Sequence, residues 1–247
     1  MMLVALGVFV SIFLGSCLQR VSGMGMGLVG GPLLMLLLGP VQGIMVINVL
    51  ACINAAMLTY TARDRVDWRK FGAIASVMVF GSIPAAFLIR SIDTAPLLVI
   101  AGGALLIALG VVTFGKKYVP HLHGRGPMLS AGVLGGFTNT LAGIAGPVIT
   151  VYAQAARWEH SMYTATLQPI FMVGGAISVT AKLVTGAGSL SHASWLVWPA
   201  GILGMILGIV IGARLAGRIP RDKAHKLSLA VAAAGAAVAM LRGVGQL

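Results

Sequence analysis

The chain has 247 residues, of which 58% are hydrophobic and 9% are charged, and its mean hydropathy is +0.99. Soluble domains carry about 25% charged residues, so this composition excludes a water-soluble fold and predicts a protein solvated by lipid. The net charge of +12 would suggest nucleic-acid binding in a soluble protein. Here the Lys and Arg residues lie between apolar runs, as in loops of membrane proteins. We therefore expect a lipid bilayer as the partner, and no nucleic acid.

Cysteine and histidine offer little chemistry in this sequence. Cys17 and Cys52 both lie inside apolar segments, which predicts neither a disulfide nor a metal site. His121 and His123 are close together, but two histidines in a loop are too few to define a metal site. We expect no metal and no cofactor, and no cleavable signal peptide, because the N-terminus enters an apolar run at once.

Six apolar segments have the length of about 20 residues that crosses a bilayer. Two longer stretches, 3–38 and 128–156, are interrupted by clustered glycine and proline at 22–32 and 137–147. Each such glycine costs a helix about 1 kcal/mol and each proline about 3 kcal/mol, so we predict a break in both stretches. Residues 3–20 alone could nearly span the bilayer, which leaves open two real spans in the first stretch. The six full spans are 41–61, 69–89, 95–115, 161–183, 194–215 and 224–242.

The two breaks have the form of one motif that occurs twice. We predict two homologous halves, 1–117 and 125–247, joined by a cytoplasmic linker at 118–124. Each half would contain one glycine-rich broken or hairpin segment and three full transmembrane helices, giving about eight hydrophobic segments. The matched pairs are Pro32 with Pro147, Gly31 with Gly146, Trp68 with Trp195, Gly81 with Gly208, Ala86 with Ala213, and Ile92 with Ile219.

The distribution of basic residues indicates how the broken stretches are threaded. If each stretch enters and returns as a hairpin, thirteen Lys and Arg residues lie in cytoplasmic loops at 63–70, 116–125, 157 and 214–226. If each stretch is instead a single span, the cytoplasmic side of the membrane holds nine Lys and Arg residues and the outer side holds seven. Cytoplasmic loops are enriched in Lys and Arg, so we predict hairpins, which make the two halves inverted. The predicted fold is an all-α polytopic protein of the inner (plasma) membrane.

All five acidic residues fall in predicted loops. This excludes carboxylate catalysis and carboxylate metal sites within the membrane, and it argues against a buried acidic proton carrier. We therefore predict that the protein is not an enzyme. The five are Asp64, Asp67, Asp93, Glu159 and Asp222.

Polar residues at the two breaks, and on the helices that follow, predict an anion site. Glycine lets the backbone approach a ligand closely, and the helices that restart at 27–32 and 143–147 present free N–H groups with a partial positive charge. Arg20 adds planar donors suited to oxyanions. The predicted binding residues are Arg20, Ser22, Gly23, Gly25, Gly27, Pro32, Asn48, Thr138, Asn139, Thr140, Gly143, Gly146, Pro147 and Gln168.

Each of these residues also has a structural interpretation. Arg20 could end a first full span and extend to the interface, and the glycine runs could serve close helix packing alone. Asn48, Asn54 and Gln168 could hydrogen-bond between helices. Lys182 and Arg90, near span ends, are expected to extend to the membrane surface. A small-residue stripe that we assign to packing contains Gly204, Gly208 and Gly212.

Several motifs recur in an order typical of one family. The first is G-M-G-M-G-L-V-G-G-P-L-L at 23–34, followed by L-G-P at 38–40 and V-D-W at 66–68; a glycine-rich repeat occupies 135–147, and a P-A-G…G-A-R-L…R-I-P pattern occupies 199–220. In these features the sequence resembles the TauE/SafE family of sulfite and organosulfonate exporters over nearly its whole length. It departs from the family at Met26, which interrupts a glycine triplet, and at Ala142 and Ala145, where glycine is usual.

The resemblance implies transport of small sulfur-containing or carboxylate anions, usually outward. It carries over glycines and prolines of the two motifs, whereas Arg20 and Asn139 are predicted from their chemistry. We expect a secondary transporter or facilitator that exports such an anion, and we allow for a homodimer. The alternative is a membrane-embedded accessory or assembly protein with no transport of its own. The residues carried over are Gly23, Gly25, Gly27, Pro32, Gly143, Gly146 and Pro147.

Overall fold

The computed structural model describes residues 1–114, 121–122 and 124–246, without the side chain of His192. The described residues form helices and no β-strand. A π-helical segment, Met26–Gly30, precedes α2, and short 3₁₀ turns occur at Arg63–Arg65 and Leu190–His192. The α-helices are α1 (Met2–Ser22), α2 (Gly31–Leu38), α3 (Pro40–Ala62), α4 (Trp68–Ser91), α5 (Thr94–Phe114), α6 (Arg125–Ala142), α7 (Gly146–Ala155), α8 (His160–Thr185), α9 (Val197–Leu215) and α10 (Arg221–Val244).

Seven helices among the described residues are long and apolar enough to cross a membrane: α1, α3, α4, α5, α8, α9 and α10. The prediction of a polytopic, all-helical membrane protein is therefore confirmed. Six of the seven correspond to the predicted full spans. The seventh, α1, lies in the first broken stretch, which thus contains one helix of full length followed by a short return. In the predicted linker 118–124, residues 118–120 and 123 lie outside the described residues.

Both glycine-rich stretches fold back on themselves. Gly23 ends α1 with a φ of 85°, and Gly143 ends α6 with a φ of 74°. Glycine adopts this left-handed conformation without steric penalty, and it closes the preceding helix by bonding to a carbonyl four residues back. The chain then returns beside the helix it has just left: Gly7 lies against Leu37 in the first hairpin, and the Leu122 N–H donates to the Ala155 carbonyl at 3.1 Å in the second.

Glycines let the long helices approach closely. A Cβ on Gly208 of α9 would lie 2.6 Å from the Phe13 carbonyl oxygen of α1, and a Cβ on Gly81 of α4 would overlap the Val133 carbonyl oxygen of α6. Gly204 and Gly212 meet α1 in the same way. The packing role predicted for this α9 stripe is confirmed. These contacts place α9 against α1 and α4 against α6. Each hairpin is thus packed, through its first arm, against a long helix.

The two ends of the bundle differ in charge. At one end, which we call the basic end, residues of the segments 19–23, 58–65 and 160–168 border a common cavity with Arg221. At the opposite end, the far end, Arg90 Nη1 donates to the Thr185 carbonyl at 3.0 Å and Arg242 Nη1 donates to the Leu36 carbonyl at 2.9 Å. The loops predicted to be cytoplasmic at 63–70, 157 and 214–226 therefore lie at or beside the basic end.

Candidate functional site

The tips of the two hairpins touch near the middle of the bundle. A Cβ on Gly27 would lie 2.7 Å from the Gly143 carbonyl oxygen, and a Cβ on Gly31 would lie 3.2 Å from the Ala142 carbonyl oxygen. Real Cβ atoms essentially never approach within 3.0 Å, so the contact at Gly27 requires glycine. The two breaks are thus brought together backbone to backbone, with α3 and α8 beside them.

A small cavity, the inner pocket, lies where the tips meet. Its volume is about 30 Å³, enough for roughly one water molecule. Residues of both hairpins and of α3 line it. The lining includes six of the predicted residues: Gly25, Gly27, Asn48, Asn139, Gly143 and Gly146.

One polar group at the inner pocket has no hydrogen-bond partner among the described residues. Asn139 is 6% exposed, and its Nδ2 atom is unpaired. Its neighbour Asn48 is satisfied, because Asn48 Nδ2 donates to Ser178 Oγ at 2.7 Å. A buried donor without an acceptor costs about 1–3 kcal/mol. The Asn139 amide is therefore available to an acceptor atom of a ligand.

A larger cavity, the vestibule, opens at the basic end. Its volume is about 190 Å³. Three arginines, Arg20, Arg65 and Arg221, border it together with His160, and no acidic residue does so among the residues that the structure describes. A cavity lined by charge of one sign concentrates ions of the opposite sign. The vestibule is therefore suited to collect anions.

A pair of buried glutamines, the glutamine pair, separates the vestibule from the inner pocket. Gln19 Nε2 donates to Gln168 Oε1 at 3.0 Å, and Gln168 Nε2 donates to the Gly23 carbonyl at 3.1 Å. Gln19 Oε1 accepts from the Met26 N–H at 3.0 Å, so it also holds the start of the π-helical segment. Gln19 borders both cavities. The pair therefore lies where the two cavities adjoin.

Arg20, Ser22, Gly23 and Gln168 line the vestibule rather than the inner pocket. Arg20 is exposed in the last turn of α1. It therefore ends a span-length helix, as one interpretation expected, and it also borders the basic cavity. Ser22 Oγ donates to the Met24 carbonyl at 2.7 Å and closes the tip of the first hairpin.

Four predicted residues line neither cavity. Thr138 Oγ1 donates to the Leu134 carbonyl of its own helix at 3.0 Å. Pro32 packs against Gly235 of α10. Thr140 and Pro147 are buried beside the second tip, and Thr140 Oγ1 has no partner in the described part of the chain.

The prediction that Lys182 extends to the membrane surface is wrong. Lys182 is 0% exposed, and its Nζ atom donates to Ser178 Oγ at 3.0 Å, one helical turn back toward the middle of the bundle. In α-helices side chains lean toward the N-terminus, and in α8 that direction leads away from the nearer end. Asn54, a candidate for hydrogen bonding between helices, has neither side-chain atom paired within the described residues.

Several residues at the site are not predicted from the sequence. Gln19 stands directly before Arg20 in an apolar helix, and its polarity is the available signal. Arg65, Arg221 and His160 belong to loops or helix ends that are distant in sequence and meet only in the fold. Beside them, Glu159 caps α8 by accepting from the Ser161 and Met162 N–H groups at 2.9 and 3.0 Å. Hydrogen bonds from the Ser161 amide and hydroxyl and from the Met162 amide hold the pKa of the Glu159 carboxyl below its usual value.

Comparison with known families agrees with the motifs and the fold. The family model described as "Sulfite exporter TauE/SafE" matches residues 8–240, a range that includes both hairpins and residues of all seven candidate spans. No curated protein and no solved structure matches the chain significantly. The resemblance stated from the motifs is confirmed, and the chain belongs to the TauE/SafE family of sulfite exporters, which are membrane transporters.

Proposed function

We propose that this protein is a secondary transporter or facilitator that exports a small sulfur-containing or organic anion across the inner membrane. The anion would be a sulfite, sulfonate or carboxylate, and it would bind at the inner pocket, which must widen from about 30 Å³ to admit it. One observation carries the proposal: Asn139, whose buried Nδ2 has no hydrogen-bond partner among the described residues, borders a pocket that adjoins a cavity with three arginines. Family membership supports the choice of anion class.

The geometry supports a route in two steps. Arg20, Arg65 and Arg221 attract the anion into the vestibule, where guanidinium groups match the oxygens of a sulfite or carboxylate. The glutamine pair then exchanges its mutual hydrogen bond at 3.0 Å for bonds to the anion. Amide groups can do this because each carries both donors and an acceptor. In the inner pocket, Asn139 supplies a donor that has no other partner among the described residues.

The helix contacts support an inverted repeat. Phe13 precedes Gly23 by ten residues, as Val133 precedes Gly143, and these two glycines end α1 and α6. The sequence-matched Gly208 and Gly81 each lie against one of these two carbonyls. If α1 corresponds to α6 and α9 to α4, these two contacts between the halves are equivalent. Rocking of such halves about a central site is a common transport mechanism.

Charge supports the direction of transport. The basic loops at one end of the bundle would be cytoplasmic by the positive-inside rule. The negative potential of the cell interior drives anions outward by about 2.3 kcal/mol per charge for each 100 mV. Export of a monoanion through this route would therefore need no coupled ion.

The Arg20→Gln variant tests the proposal in proteoliposomes loaded with sulfite. We expect weaker saturable sulfite flux with membrane insertion unchanged, because the variant keeps the polarity of residue 20 but removes its charge. Arg218→Gln is the matched control, since Arg218 is exposed at the basic end and borders neither the vestibule nor the inner pocket. Full flux from a properly folded Arg20→Gln protein would remove Arg20 from the route.

A further inference from the structure

Lys182 is a buried lysine that lies outside the route proposed above. It is the largest fully buried side chain among the described residues, at 0% exposed. The two ion pairs found among those residues join Arg63 to Asp64 and Lys70 to Asp67, so no described carboxylate neutralises it. An ammonium group has three donors, and among the described residues Nζ has one acceptor, Ser178 Oγ at 3.0 Å.

Lys182 is linked to the lining of the inner pocket through Ser178. Asn48 borders the pocket and donates to Ser178 Oγ at 2.7 Å, and Lys182 Nζ donates to the same oxygen. On its other side, the Lys182 carbonyl accepts from the Gly188 N–H at 3.3 Å. Gly188 belongs to the segment 186–189, which borders a cavity of about 530 Å³ at the far end. Lys182 therefore lies between the inner pocket and the far-end cavity.

The direction of the side chain argues against a role at the membrane surface. A lysine three residues from the end of a helix could reach the interface with its flexible stem. Lys182 instead turns inward, toward Ser178 and Asn48. A cation held inside a membrane protein is costly unless it is paired, and such residues mark the paths of ions and substrates. Opposite charge within about 4–6 Å favours the charged form of a lysine, so an arriving anion would supply the missing partner.

We propose that Lys182 binds the transported oxyanion at a second station, between the inner pocket and the far-end cavity. This inference rests on the proposed transport function and adds to it a specific binding residue. At this station the anion accepts from the two free donors of Lys182, while Ser178 holds the ammonium in place. The vestibule, the inner pocket and Lys182 then form three successive binding sites along the proposed route.

The test compares Lys182→Met with the unmodified protein, using sulfite as the probe. Methionine has a similar shape without the charge. Two quantities are measured: sulfite binding to the purified protein, and thermal stability in the absence of anion. We expect Lys182→Met to weaken sulfite binding by about tenfold or more, as the loss of a charge-assisted hydrogen bond implies. We also expect the anion-free variant to be at least as stable as the unmodified protein, because removing an uncompensated buried charge relieves a penalty.

These opposite changes separate binding from a structural role. A structural lysine would lose stability on replacement by methionine, and that result, including failure to fold, would overturn the inference. Unchanged sulfite binding in a folded Lys182→Met protein would overturn it as well. Lys223→Met, at an exposed position, serves as the charge-matched control.

The same experiment distinguishes this inference from the proposed function. If the unmodified protein moves sulfite and Lys182→Met moves it with the same saturation behaviour, the second station is refuted and transport stands. If the unmodified protein neither binds nor moves any tested anion, the proposed function fails and the inference fails with it.

Discussion

Replacing Gly27 with alanine would place a methyl group in the contact between the two hairpin tips. The new Cβ would lie 2.7 Å from the Gly143 carbonyl oxygen, whereas ordinary contact begins at 3.4 Å. The tips must therefore separate by about 0.7 Å, the difference between these two distances. The obstacle is backbone, so no side-chain rotation can absorb the strain.

The expected size of the effect follows from this overlap. Inserting a methyl group into a tightly packed contact typically costs about 1–3 kcal/mol. If that penalty falls on the conformation in which the tips touch, its population drops about 5- to 150-fold. We expect sulfite flux in proteoliposomes to fall by a similar factor, with the protein still inserted and monodisperse.

Gly103 provides the control for this substitution. It lies within α5, and a Cβ added to it would meet no atom within 4 Å, so Gly103→Ala should keep full flux. It should also gain about 0.4–1 kcal/mol of stability, because alanine restricts the unfolded chain. Flux from Gly27→Ala within about twofold of the unmodified protein, at unchanged stability, would show that contact between the tips is not needed for transport.

Two further predictions concern stability. Gly81→Ala and Gly208→Ala should each lower the free energy of unfolding by about 1–3 kcal/mol, because each Cβ would meet a backbone carbonyl of the helix it packs on. The measurement is the melting temperature in detergent, which should fall for both variants. A neutral effect at either position would contradict the helix pairing. Glu159→Ala should lower the melting temperature at pH 7, because Glu159 caps α8. The lowered pKa of Glu159 gives stability that is present above its ordinary value of 4.5 and is lost as pH falls through the folded value. The difference between variant and unmodified protein should therefore shrink on acidification, and a difference that grows toward low pH would contradict the capping role.

The sequence predicts the long helices well because apolar length is a strong signal. All six predicted spans correspond to helices of the structure. The remaining span-length helix, α1, contains Gln19 and Arg20 near its end, and these polar residues interrupt the apolar run before the helix has ended. Glycine clusters predict chain reversals near 22–32 and 137–147, and Gly23 and Gly143 do end helices there with left-handed backbone.

The site is harder to predict because it depends on contacts between distant segments. Gln19 and Gln168 are 149 residues apart in sequence, and only the fold shows that they bond to each other. Thr138 and Asn139 are adjacent, yet Thr138 bonds within its own helix and Asn139 borders the inner pocket. The helix face that points inward cannot be read from a segment that is apolar on all sides. For the same reason the position of Lys182 near a span end predicts a surface location, although its neighbours in the fold enclose it.

Anion export by this protein is best tested by sulfite flux through the unmodified protein in proteoliposomes under an imposed potassium-diffusion potential. We expect saturable flux that follows the potential, outward from the compartment made negative, and that falls in Arg20→Gln but not in Arg218→Gln. No flux of sulfite, sulfonate or carboxylate under either polarity, from protein shown to be folded and inserted, would contradict it.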